Sequence, residues 1–163
     1  MTGKINFVVA LPCEAKPIIN HFNLVKRNST LFKIYSNQDH SIRLIISDVG
    51  YSASSRSTKQ LASVSEASIS TAWLNIGIGG HKDLPLGTAI LAHKITDSQM
   101  ERSWFPQIIF DPQCLTASVK TFENPVFNYP NNDVVEMEAS GFYSSAELYS
   151  TREIIHCIKI ISD

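Results

Sequence analysis

Short apolar runs alternate with polar, turn-forming segments along the whole chain. The first run, Ile5-Asn6-Phe7-Val8-Val9-Ala10, is rich in β-branched and aromatic residues and predicts a buried strand. Pro12 then fits the first turn of a helix whose apolar face continues through Ile18, Ile19 and Phe22. Residues 31–35 and 42–47 predict two strands joined by a polar segment. The Ser-rich stretch 52–70 carries Ala53, Leu61, Ala62, Val64 and Ala67 at helical spacing, which predicts a small-residue helix packed close to its neighbour. Residues 72–76 predict another buried strand, which runs into Gly77-Ile78-Gly79-Gly80-His81 as a glycine turn. Residues 88–94 and 116–120 are further strands. Val134 and Val135 end a short strand ahead of a helix over 139–149, with Phe142, Tyr143, Ala146 and Tyr149 on its apolar face. Residues 154–161 form a last, strongly apolar strand.

Strands alternating with helices predict an α/β domain with a parallel or mixed sheet. No linker or internal repeat divides the chain, so residues 1–163 read as one domain. Ligands of such sheets sit beyond the carboxyl ends of the strands. That rule selects four places: Pro12-Cys13-Glu14, Gly77 to His81, Glu136-Met137-Glu138, and Ser162-Asp163.

Composition narrows the function classes. The chain has 163 residues, is 44% hydrophobic and 18% charged, and carries a formal net charge of -1. Neither charge sign dominates, which argues against a nucleic-acid surface. No apolar run is long enough to span a bilayer, and no secretory leader pattern opens the chain, so a cytoplasmic, membrane-free protein is expected. Cys13, Cys114 and Cys157 are widely spaced and form no CxxC pair, so no disulfide framework and no metal site is expected.

Glu136 and Glu138 flank Met137 where a strand meets a helix. A carboxylate there can accept two hydrogen bonds from a sugar diol, and Met offers a pliable surface to a ring. The same acids also suit the positive end of a helix with no ligand at all. The glycines at 77, 79 and 80 would let a sugar or phosphate approach backbone amides, or simply make a tight turn. His81 could donate to a phosphate or face solvent. Glu14 is either a solvated acid or a catalytic one. Asp163 ends a strand, where fraying is the plain expectation.

The order of these segments resembles the purine nucleoside phosphorylase and methylthioadenosine/S-adenosylhomocysteine nucleosidase superfamily. Val134 to Ala146, VVEMEASGFYSSA, resembles its E-M-E-A segment. Ile161-Ser162-Asp163 is similar to its I-S-D motif. Asn75 to Gly80 is similar to its glycine-rich turn, Leu11 to Glu14 to its first-strand segment, and Gly50 to the glycine before its next helix. The resemblance implies a three-layer α/β/α domain with a mixed central sheet. It places ribose on Met137 and Glu138 with Glu136 beside them. The base would stack on Phe122 and meet Ser162 and Asp163, with Asp163 protonating purine N7. Glu14 would activate water. Ile78 stands where the nucleosidases often have Ser, and Lys159 where they have Arg, which makes Lys159 a possible anion contact.

Hydrolytic cleavage of the N-ribosyl bond of an adenine-type nucleoside is the activity the resemblance implies, with no cofactor. A phosphate-dependent phosphorylase is one alternative, and a non-catalytic nucleoside-binding or structural oligomer another. An acid at Asp163 would need a raised pKa, for which burial or a neighbouring like charge is the usual cause. The chain is short beside that superfamily and lacks its C-terminal helix, so a homo-oligomer, a dimer first, is expected to cover apolar sheet. Trp104 and Phe105 would join that interface, form a lid over the base, or enter the core.

Overall fold

The computed structural model describes residues 3–28, 31–129 and 132–163. In chain order its elements are β1 Ile5–Val9, α1 Pro12–His21, β2 Val25–Lys26, β3 Lys33–Ser36, β4 Ile42–Ile46, α2 Tyr51–Ser65, β5 Ala72–Gly79, β6 Ala89–Asp97, β7 Ser103–Trp104, β8 Leu115–Thr121, β9 Val134–Glu136, α3 Ala139–Ala146 and β10 Ile155–Ile161, with a short 3-10 turn over Arg152–Ile154. Among the described residues all ten strands join one sheet in the order β2-β3-β4-β1-β5-β10-β6-β8-β9, with β7 paired to β6. The strands β4, β1, β5 and β10 run parallel. β6 is antiparallel to β10, and β8 and β9 then run parallel to β6. The sheet is therefore mixed, as the resemblance implies, and settles the choice of parallel or mixed that the alternating pattern left open.

Alternation along β1 builds the two faces. Val8 packs with Leu61 and Ala62 of α2 and with Phe142 and Tyr143 of α3. Phe7 and Val9 point the other way, onto Ala15 and Ile18 of α1. Period-2 side chains on a strand and helices on both faces give three layers, each face burying its own apolar cluster. α1 begins with Pro12 at its first position, and the Leu11 N–H donates to Glu14 Oε2 at 2.8 Å, closing the first turn. Among the described residues, no helix is long and apolar enough to cross a membrane.

Three expectations change. The strand expected over 72–76 continues through Gly79, so Gly77 and Gly79 are strand residues and not a turn. Pairing with β10 carries it on: Lys159 stands opposite Gly77 and Ile161 opposite Gly79. α3 stops at Ala146, three residues short, and Tyr149 instead lies against Trp73 with ring centroids 6.3 Å apart. Trp104 takes the core position. It is buried, and its indole Nε1–H donates to Glu147 at 2.9 Å, while Phe105 is exposed.

Candidate functional site

The carboxyl ends of β1, β5, β9 and β10 meet at one cavity of about 240 Å³. Glu14, Ile78, Gly79, Gly80, Glu136, Met137, Glu138, Ser162 and Asp163 all line it. Four segments singled out from the sequence thus come together in space.

Glu14 sits at the third position of α1 and is held by two elements. Its Oε2 accepts the Leu11 N–H, and its Oε1 accepts the Ile78 N–H of β5 at 2.9 Å. The absence of a side chain at Gly77 makes room for this. A Cβ there would stand 3.2 Å from Glu14 Oε1 and 3.4 Å from Lys159 Nζ. At Gly79 a Cβ would come within 2.7 Å of Val134 Cγ1, and at Gly80 it would strike the ring of Tyr129. These glycines serve close packing around the cavity, and Gly77 and Gly79 do so as residues of β5 and not as a turn.

Glu136 is nearly fully enclosed, and both of its carboxylate oxygens are already bonded within the protein. Its Oε1 accepts the Thr121 hydroxyl at 2.5 Å. Its Oε2 accepts the backbone N–H of Glu138 at 2.9 Å and of Ala139 at 2.8 Å, and meets Lys159 Nζ at 2.8 Å. Glu136 therefore caps the start of α3, where a carboxylate is favoured by free amides and by the helix dipole. Lys159 is the other half of a buried ion pair. Burial pushes its ammonium down, but the Glu136 and Glu138 carboxylates outweigh that and hold it above the ordinary lysine range. Its anion contact is Glu136, an internal partner.

Glu138 is the carboxylate left for a ligand. Its Oε1 accepts the Gly50 N–H at 2.8 Å, and Gly50 adopts φ +104°, a backbone that a side chain would strain. Burial pushes the Glu138 carboxyl above the usual carboxylate range, opposed by Lys159 and aided by Glu136. Met137, beside it, is half-buried at the cavity wall.

Asp163 is pinned, not frayed. Its carbonyl accepts the His81 N–H at 2.9 Å, and the Ser162 N–H donates to Gly79 O at 3.0 Å. The Ser162 hydroxyl donates to Asp163 Oδ1 at 2.6 Å, and the Tyr129 hydroxyl donates to Oδ2. Hydrogen bonds from Ser162 and then Tyr129 hold the Asp163 carboxyl below its usual range, which corrects the expected upward shift. His81 is buried and spends both ring nitrogens on backbone. Its Nδ1 accepts the N–H groups of Asp83 and Leu84, which leaves the proton on Nε2 to donate to Asn132 O at 3.2 Å. That replaces the solvent or phosphate contact read from the sequence.

Phe122 lies elsewhere. It lines a neighbouring cavity of about 350 Å³ with Gly50, Arg56, Asp97 and Met100, and Lys120 stands 5.5 Å over its ring. The aromatic side chains on the cavity of Asp163 are Phe127 and Tyr129. Tyr129 and Thr121 are the residues sequence reasoning missed. Neither sits in a periodic run or a charged cluster; their partners are 34 and 15 positions away. Among the described residues, no group of three or more His, Cys, Asp or Glu could hold a metal ion.

The architecture matches solved structures. A 5'-methylthioadenosine/S-adenosylhomocysteine nucleosidase from Colwellia psychrerythraea 34H, in complex with adenine, aligns with a TM-score of 0.81 at 14% identity, over 100% of this chain and 83% of that one. A futalosine hydrolase mutant of Helicobacter pylori strain 26695 aligns with 0.75 at 15% identity, over 98% and 89%. A nucleosidase of the first kind from Chlamydia trachomatis aligns with 0.74 at 20% identity, over 99% and 82%. No family model and no curated protein matches the sequence. At these identities the likeness is one of fold: the chain folds like these nucleosidases and the futalosine hydrolase.

Proposed function

We propose that the chain hydrolyses the N-ribosyl bond of an adenine-type nucleoside. The observation that carries this reading is the meeting of Glu14, Glu138 and Asp163 around one cavity beyond the strand ends, in a fold that aligns with a nucleosidase over its whole length. Fold alone does not specify chemistry, so the argument rests on these three carboxylates.

Glu14 and Glu138 stand in surroundings that suit their roles, while Asp163, held ionised by Ser162 and Tyr129, must first take up a proton. Glu14, fixed by two backbone amides, would accept a proton from water as the water oxygen bonds to C1′ of the ribose. Glu138, with Met137, would receive the ribose hydroxyls. Asp163 would give a proton to N7 as the C1′–N9 bond breaks, so the electron pair of that bond leaves on a neutral base. The proton lost by water goes to Glu14, and the proton gained by the base comes from Asp163. General acid and general base steps each contribute about 10²–10⁴-fold, and placement of water and sugar supplies the remainder.

Water is favoured over phosphate because Lys159, the cation nearest this cluster, is committed to Glu136 at 2.8 Å and fully buried. The test is release of free adenine from methylthioadenosine, adenosine and S-adenosylhomocysteine, with and without inorganic phosphate. Release that is independent of phosphate, and absent in Asp163→Asn, is the expected result. Strict phosphate dependence would establish a phosphorylase instead, and unchanged turnover in Asp163→Asn would remove Asp163 from the mechanism.

A further inference from the structure

Tyr129 is the residue with the most direct hold on Asp163 and no part in the chemistry set out above. Its hydroxyl donates to Asp163 Oδ2, and its ring lies so close to Gly80 that even a methyl group there would collide with it. It lines the same cavity as Glu14, Met137 and Glu138. Ser162 occupies the other carboxylate oxygen of Asp163. Both oxygens of the proposed acid are thus taken by hydroxyl donors, and a carboxylate that accepts two such bonds is stabilised in its ionised form. A purine that approaches Asp163 Oδ2 from the cavity meets the phenol already bonded to that oxygen.

We infer that Tyr129 is a positioning residue that competes with the base for Asp163. The inference rests on the nucleosidase reading. In the free protein the phenol holds Asp163 ionised and aimed into the cavity. Entry of a purine exchanges the phenol for N7, and Asp163 takes a proton from solvent in the same exchange. After the proton has passed to the leaving base, Asp163 is ionised again, and the phenol can return to it and displace the product. The other titratable groups on this cavity are Glu14, Glu136 and Glu138, and His81 behind it has both ring nitrogens on backbone. Among the described residues, no cation lies within ion-pair distance of Asp163, which leaves Tyr129 and Ser162 as the groups that hold its charge.

Calorimetric titration of adenine into the full chain tests this, comparing the wild type, Tyr129→Phe and Tyr129→Ala. Loss of a hydrogen bond to a charged group should tighten adenine binding about tenfold in Tyr129→Phe. Tyr129→Ala, which removes the ring as well, should bind at least as tightly. The KM for nucleoside should fall with it, and the Asp163 carboxyl, followed by carbon NMR, should titrate at higher pH in Tyr129→Phe. Equal affinity in all three proteins would overturn the role of Tyr129 and leave the nucleosidase reading standing. Weaker binding in both variants would overturn it too, by making Tyr129 a platform for the base. Absence of adenine binding in every protein, wild type included, would overturn both readings.

Discussion

Glu136 and Lys159 meet inside the protein with almost no solvent around either side chain. A pair of this kind is costly to bury, and its net value beside an apolar pair is small. Breaking it from one side is different, because a lone charge then stays behind. Lys159→Met should destabilise the fold by about 3–5 kcal/mol in urea unfolding. Adding Glu136→Gln to that variant should recover much of the loss, since the amide oxygen can still accept from the α3 amides while its NH2 donates to the Thr121 hydroxyl. Glu138 gives a second prediction. Its folded carboxyl titrates above the unfolded value, so the native state binds the extra proton in the interval between the two. Stability should therefore fall as pH rises from about 4.5 through the folded value, and Glu138→Gln should flatten that fall. Denaturant titrations at pH 5 and pH 8 read the difference. At this scale the sequence named Glu14, Glu136, Glu138, Lys159 and Asp163 as chemistry-bearing residues. It could not divide them between ligand and scaffold, because that division is made by Thr121, Gly50 and the α3 amides, which arrive from distant segments.

The helices are held by close contacts at small residues. Gly141, in α3, lies against the backbone of Tyr51 at the start of α2, and a Cβ at 141 would strike the Tyr51 carbonyl oxygen. Ala is intrinsically better than Gly within a helix by about 1 kcal/mol. Overpacking against a fixed carbonyl costs about 1–3 kcal/mol and should win. Gly141→Ala is therefore expected to lower the melting temperature, and to disturb the Gly50–Glu138 hydrogen bond. The Ser55–Ser145 hydroxyl pair, 2.8 Å apart, bridges the same two helices. The small-residue composition of 52–70 made this intimate packing legible in advance. The end of α3 was not legible, because Tyr149 continues the helical period of apolar residues and only the position of Trp73 draws it out of the helix. The glycines of β5 misled for a related reason. Glycine after a strand usually marks a turn, and here the room it leaves belongs to Glu14, Lys159 and Val134.

Across the whole molecule, the two faces of the sheet are covered unequally. α2 and α3 share one face with most of the core, while α1 alone stands over β1, β4 and β5 on the other. Along β10, Ile155, Cys157 and Ile161 are buried in the larger cluster, whereas Ile158 and Ile160 are only half-buried. Amide exchange should be slowest in β1, β5 and β10, which have paired neighbours on both sides, and fastest between 123 and 129, where no strand or helix forms. Uniform protection across these segments would contradict that ranking. The α/β class could be read from the succession of elements, and the mixed sheet from the family resemblance. Strand order could not, because β10 is placed by pairings that span most of the chain.

That placement has a consequence for how the protein is made. β10 comes after every other strand in sequence, yet it stands between β5 and β6 and pairs with both. On the ribosome, the nine earlier strands emerge while the position between β5 and β6 is still empty. Two open edges then face one another across a gap, and unpaired edges invite pairing with the wrong strand. Synthesis of β10 would therefore decide whether these strands close into one sheet. The same late segment delivers Lys159 to Glu136 and Asp163 to the cavity, so the buried ion pair and the cavity's carboxylate arrive together.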